Sequence, residues 1–162
     1  MKNAAALYLA KDNPKEDYVI HVMTRMSKLK KTKKKSVSKL KKELDIIFSQ
    51  YIRLKYSRND VSSCITCGTI KLWRELHCGH FVSRQHLATR YEEKNCRPQC
   101  VGCNVFGKGQ AAVFAEKLTQ EYGEGIVSEL YKKARAILKV DSSWYEEKIK
   151  EYKVKLNTLL SN

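Results

Sequence analysis

Cys64-Ile65-Thr66-Cys67-Gly68, eight further residues, His77-Cys78-Gly79-His80-Phe81, thirteen further residues, then Asn95-Cys96-Arg97-Pro98-Gln99-Cys100-Val101-Gly102-Cys103-Asn104 and on to Lys108: this stretch decides the fold. Zinc prefers four tetrahedral sulfur or nitrogen ligands, and a Cys-x-x-Cys turn presents two thiolates to one ion. Cys64/Cys67 and Cys100/Cys103 are two such turns, the second starting thirty-three residues after Cys67. They predict a structural Zn²⁺ held by four cysteines, doing no chemistry but stapling a region with little core of its own. A redox Cys-x-x-Cys needs only one pair and a βαβ setting. Cys96 could replace one ligand but reads better as a small buried residue, and Cys78 as a strand residue.

Between the pairs lie His77 and His80, with Arg84, His86 and Arg90 close behind. Phosphodiester hydrolysis needs a base to deprotonate water and a cation on the reacting oxygens. Histidine suits the first role because its unperturbed pKa is near ~6.5. A cluster of carboxylate, amide or imidazole groups suits Mg²⁺ or Mn²⁺. Arg84 and Arg90 could grip a phosphate with two parallel hydrogen bonds. Leu72, Trp73, Leu76 and Val82 around the histidines suit a short hairpin strand.

The remaining composition points to a polyanionic partner. The chain has 162 residues, a net charge of +15 and a sequence pI near 9.6. Such an excess opposes compaction but favours nucleic acid, and DNA is the expected partner. Residues 28–42 hold nine lysines and no acid. Like charge at that density resists packing, so residues 1–37 are expected to be an N-terminal segment with a flexible lysine-rich arm. Lys30, Lys31, Lys33, Lys34 and Lys35 are its expected phosphate contacts, joined by Arg53, Arg84, Arg90 and Lys108. Lys132, Lys133 and Arg135 are further possible contacts. No run reaches the ~20 apolar residues of a membrane span, and the N-terminus is a weak signal-peptide candidate. Cysteines in metal-type pairs fit a reducing compartment, so a cytoplasmic location is expected.

Two prolines and seven glycines leave little room for a loop-rich β fold, so helix should dominate. Residues 38–162 are expected to form one domain around a core at 61–108. A helix should start at Ser36 or Ser38 and bury Leu40, Leu44, Ile47, Phe48, Tyr51 and Leu54. A second runs to Tyr122, where Gly123 stops it. A third opens at Glu124-Gly125 and carries Ile126 to Leu138 on one side. The last begins at Ser143 with a Glu146 capping box and buries Trp144, Ile149, Tyr152, Leu156 and Leu159.

The arrangement Gly79-His80-Phe81 … Asn95-Cys96-Arg97-Pro98-Gln99-Cys100-Val101-Gly102-Cys103-Asn104 resembles the HNH (ββα-metal) nuclease motif in a zinc-stapled form. More narrowly, residues 51–55, 64–68, 77–81, 90–95 and 99–104 resemble the phage lambda NinG/Rap recombination endonucleases, with a likeness from about Leu40 to Leu138. The resemblance implies an α+β, mostly helical fold, with a ββα-metal core stapled by zinc among several helices. It implies that His80 is the general base and that Asn95 ties loop to strand and orients it. Asn104, with His77 and His80, would be a ligand of a catalytic Mg²⁺ or Mn²⁺. It further implies nicking of branched DNA such as Holliday junctions and D-loops; paired cutting would call for a homodimer. HNH proteins commonly carry Asp or His just before the base, where this chain has Gly79. His77 is the substitute ligand, converging on His80 only if the strand bends or bulges at Gly79.

Two other readings compete with a nuclease. One is a non-catalytic zinc-stapled DNA-binding protein. The other is a single-strand or RNA adaptor in which Trp73, Tyr91 and Phe106 stack bases.

Overall fold

The computed structural model describes residues 34–161. The expected contacts Lys30, Lys31 and Lys33 lie outside the described residues. Helix α1 (Val37–Lys55) begins at Ser36, whose hydroxyl accepts from the Lys39 amide. Its stripe Leu40, Leu44, Ile47, Phe48 and Tyr51 is buried as the periodicity requires; Ile52 joins it, and Leu54 is only half-buried. Helix α5 (Ser142–Leu160) covers that stripe with Tyr145, Ile149 and Tyr152. The Phe48 ring meets Tyr152 edge-on at 4.9 Å and Tyr91 at 5.5 Å, an arrangement aromatic quadrupoles favour.

Two small antiparallel ladders follow α1 in the chain. Strand β1 (Val61–Ser63) pairs with β2 (Ile70–Leu72), and β3 (His77–His80) with β4 (Cys96–Gln99). After β4 comes a single π-helical turn, Gly102–Phe106, in which Gly107 N donates to Gly102 O at 2.7 Å. The short helix α2 (Leu87–Arg90) lies in the loop between β3 and β4. Helices α3 (Ala111–Tyr122) and α4 (Ile126–Ala134) form a second, smaller core of Phe114, Leu118, Ile126 and Leu130 around Val82. The molecule is thus a mostly helical α+β protein with two-stranded sheets.

Two helix boundaries differ from expectation. Helix α4 stops at Ala134, leaving Ile137 88% exposed and Leu138 outside the helix. Helix α5 starts one residue early because Asp141 caps it, its carboxylate accepting from Trp144 N at 3.1 Å; Ser143 bonds to the cap instead of serving as it. On its buried face Tyr145 replaces Trp144, which is half-buried. Among the described residues no helix is long and apolar enough to cross a membrane.

Candidate metal centre and histidine cleft

The ligand sulfurs of Cys64, Cys67, Cys100 and Cys103 all lie within 4.8 Å of one another. Two turns deliver them. In the first, Cys64 N donates to Thr69 O and Gly68 N to Cys64 O, both at 2.9 Å. Gly68 closes this turn at φ +74°, a left-handed conformation glycine enters without steric cost. In the second, Cys103 N lies 3.4 Å from Cys100 Sγ, which in turn is 3.8 Å from Cys67 Sγ.

Crowding drives the thiols apart in acidity. Burial opposes ionisation of Cys64, but hydrogen bonds from Thr66 and from nearby backbone amides outweigh it and bring the thiol down to about 6. At Cys103 a hydrogen bond with Thr66 favours the thiolate. Burial and the neighbouring Cys100, Cys67 and Cys64 overcome it and push that thiol up to about 12. Four sulfurs at this spacing ionise together only around a cation, so the donor set fits a thiophilic metal ion.

Beside this cluster a cleft of about 450 Å³ opens between α1 and β3. His77, His80, Arg84, Arg90, Arg53 and Asn104 all line it. His80 is deeply set. Its Nε2 lies 3.0 Å from Arg90 O, and its Nδ1 lies 3.3 Å from Cys78 O. Both neighbours only accept, so the proton of the neutral ring belongs on Nε2, the shorter contact, leaving the lone pair on Nδ1. Burial lowers the His80 pKa below 6.5, against the pull of the two carbonyls and with help from the Arg90 and Arg84 charges. The ring is therefore neutral at neutral pH.

Asn95 is fully buried and holds the loop that follows His80. Its Oδ1 accepts from Val82 N at 2.7 Å, and its Nδ2 donates to Val82 O and Thr89 O at 3.0 Å each. Its own carbonyl accepts from Phe81 N at 2.9 Å. His77, exposed, faces Asn104 with 3.1 Å between Nδ1 and Nδ2. The ladder runs without a bulge from His77↔Gln99 to His80↔Cys96, so the two histidines leave opposite faces of β3. Both nevertheless line the one cleft. A side chain at residue 79 has no room: a Cβ there would lie 2.9 Å from Gln99 Cβ and closer still to Gln99 Oε1. That Oε1 is buried without a hydrogen-bond partner among the described residues.

The basic residues divide. Arg84 is exposed at the cleft, and among the described residues no side chain pairs with its guanidinium. Arg90 is not a free phosphate clamp. It is 7% exposed and grips Asp45 of α1 with bonds of 2.8 and 2.6 Å. Arg53 is likewise committed, donating to the carbonyls of Ser49, Arg74 and Leu76 at 3.0, 3.2 and 3.0 Å. Lys34 and Lys108 are exposed, Lys35 pairs with Glu43 at 2.6 Å, and Lys133 pairs with Glu92. Trp73 and Tyr91 belong to the buried interior, whereas Phe106 is 81% exposed. Two cleft carboxylates escaped the sequence reading, Asp45 and Glu75. Asp45 sits among lysines and apolar residues on α1 and Glu75 is one acid in a turn, so only the tertiary fold distinguishes them.

Searches of curated proteins and of solved structures gave no match to the chain. A family match does exist: residues 10–161 fit the family described as Bacteriophage Lambda NinG protein. That match spans nearly the whole chain, including the four-cysteine clasp, the cleft and the five helices described above; the protein belongs to the bacteriophage lambda NinG family.

Proposed function

We propose that this protein is a divalent-metal-dependent endodeoxyribonuclease of the HNH type. Its substrate is branched DNA, Holliday junctions or D-loops, in phage recombination within the host cytoplasm. The observation that carries this reading is the convergence of His80, His77, Asn104 and the exposed Arg84 on one cleft. The order β3, β4, helical turn supports a ββα-metal core, and the four-cysteine cluster supports structural Zn²⁺ as its staple.

The chain's own groups divide the work. His80, its proton held on Nε2 by the Arg90 carbonyl, offers Nδ1 as the base for the attacking water. Arg84 meets the phosphate. Asn95 fixes the loop from Val82 to Thr89 and with it the Arg90 carbonyl that orients His80. His77, Asn104 and Glu75 supply the nitrogen, amide and carboxylate donors that would hold Mg²⁺ or Mn²⁺, with the Asn104 amide turned oxygen-first. The bound ion supplies charge neutralisation at the reacting phosphate. The product is a nick with 5′-phosphate and 3′-hydroxyl ends.

The test is a labelled four-way junction incubated with Mg²⁺ or Mn²⁺, beside His80→Ala. Metal-dependent cleavage that the variant loses is the expected result. Binding without cleavage in every metal would sink the proposal and leave a zinc-stapled DNA-binding protein in its place. A sedimentation measurement on the bound junction distinguishes a homodimer from a single copy.

A further inference from the structure

Beyond the four-cysteine clasp, a second set of soft ligands meets at the foot of the cleft. Cys78, His80 and Cys96 each bring a ligand atom within 4.8 Å of the other two. The hairpin register explains why. His80 stands directly opposite Cys96, and Cys78 lies two residues before His80, so the three share one face. Cys96 is fully buried, while Cys78 and His80 are half-buried and line the cleft. A carbonyl that takes the Nε2 proton and leaves the lone pair on Nδ1 is the usual way a metal-binding imidazole is oriented, and here Nδ1 lies 3.3 Å from Cys78 O, on the Cys78 side of the ring. Two thiols and one imidazole beside open solvent make a three-ligand site with a vacant fourth position.

We propose that Cys78, His80 and Cys96 bind a second thiophilic divalent cation of the Zn²⁺ type. Binding releases the two thiol protons to solvent, and the two thiolates balance the cation's charge beside Arg84 and Arg90. The ion occupies the His80 lone pair, which then cannot accept a proton from water. Zinc at this site therefore blocks the cleft, a consequence that rests on the nuclease reading; the metal site itself does not. A Cys78–Cys96 disulfide fits less well. The two lie diagonally across the ladder, where Cα atoms stand about 7 Å or more apart, at or beyond the span of a disulfide.

The test is a Co²⁺ titration of the reduced, metal-free full chain, followed by thiolate-to-cobalt absorption. Wild type is expected to take up two equivalents. Cys78→Ser and Cys96→Ser are each expected to keep the first, which reports an intact clasp. They should weaken the second by about a hundredfold or more, beyond what losing an outer-shell partner costs. A single equivalent in wild type, or a second that persists in both variants, overturns the site. Junction cleavage in fixed Mg²⁺ is then measured against rising Zn²⁺. Half-inhibition is expected at a lower Zn²⁺ concentration in wild type than in Cys78→Ser, and equal sensitivity overturns the blocking role. Should no metal support cleavage, the nuclease reading fails while the cobalt count still decides the site.

Discussion

The clasp and the cleft are neighbours built in opposite ways. Each half of the clasp is a local turn, its sulfurs set by backbone bonds within a few residues, such as Gly68 N to Cys64 O. Only the meeting of the halves is long-range. The cleft has almost no local part. His80 leans on the Arg90 carbonyl, Arg90 is anchored by Asp45 from a helix forty-five residues earlier, and Asn95 pins Val82 from thirteen residues away. Loss of metal from an intact clasp should therefore be reversed by metal alone. Damage to the cleft should not.

The largest effect is expected from the clasp. Strong chelation, or Cys64→Ser at the most buried of the four sulfurs, removes the metal that lets all four thiolates coexist. Metal binding at structural sites carries enough free energy that a loss on the order of 5 kcal/mol is reasonable. In a chain of this size that is about 10–20 °C in the thermal midpoint. Added Zn²⁺ should restore the chelated wild type and not the variant. A midpoint that chelation leaves unmoved would show that the helical core alone sustains the fold.

Next comes Asn95→Ala. It leaves Val82 N and Val82 O buried without partners, at roughly 1–3 kcal/mol for each group that finds no water, while Thr89 O loses one bond and keeps the Glu92 amide. About 3–4 kcal/mol in denaturant unfolding is expected, and Zn²⁺ should rescue none of it. Rescue by Zn²⁺ would mean that clasp and cleft are one cooperative element.

The same contrast explains what the sequence made legible. Paired cysteines at short spacing advertise a metal cluster because their geometry is local, and the stripe on α1 advertises its buried face for the same reason. Arg90 and Arg53 read as phosphate contacts because a sequence shows charge and not its partner; Asp45 and the 74–76 carbonyls become visible only on folding. Gly79 reads as a missing ligand, whereas in the fold Gln99 fills the space its side chain would take. Helix α4 ends early because Ile137 and Leu138, though in phase, have no core to cover.

Asp45→Asn probes the long-range support more gently. The amide can still bond Arg90 and Tyr91 but leaves the buried guanidinium without a counter-charge. Breaking a fully buried pair costs 3–5 kcal/mol. The Asp45 side chain is 30% exposed, so about 2 kcal/mol is expected. Denaturant unfolding measures it, and a cost below a few tenths of a kcal/mol would mean that Arg90 needs no partner.

The smallest effect is the pH response of His80. Burial holds its folded pKa below the unfolded value of 6.5, so the fold favours the neutral ring. Its contribution is therefore complete above pH 6.5 and is lost as pH falls through the folded pKa. One proton gives at most about 1.4 kcal/mol per pH unit, and only within that window. Metal release from the clasp overlaps the same range, because protons compete for thiolates. Subtraction separates them. His80→Gln keeps the clasp and removes the imidazole, so the difference between its stability curve and that of wild type isolates His80. The expected difference is flat above pH 6.5 and shrinks in favour of the variant below it. If the wild type instead gained stability over the variant on acidification, the fold would favour the charged ring, and burial would not be the dominant influence on His80.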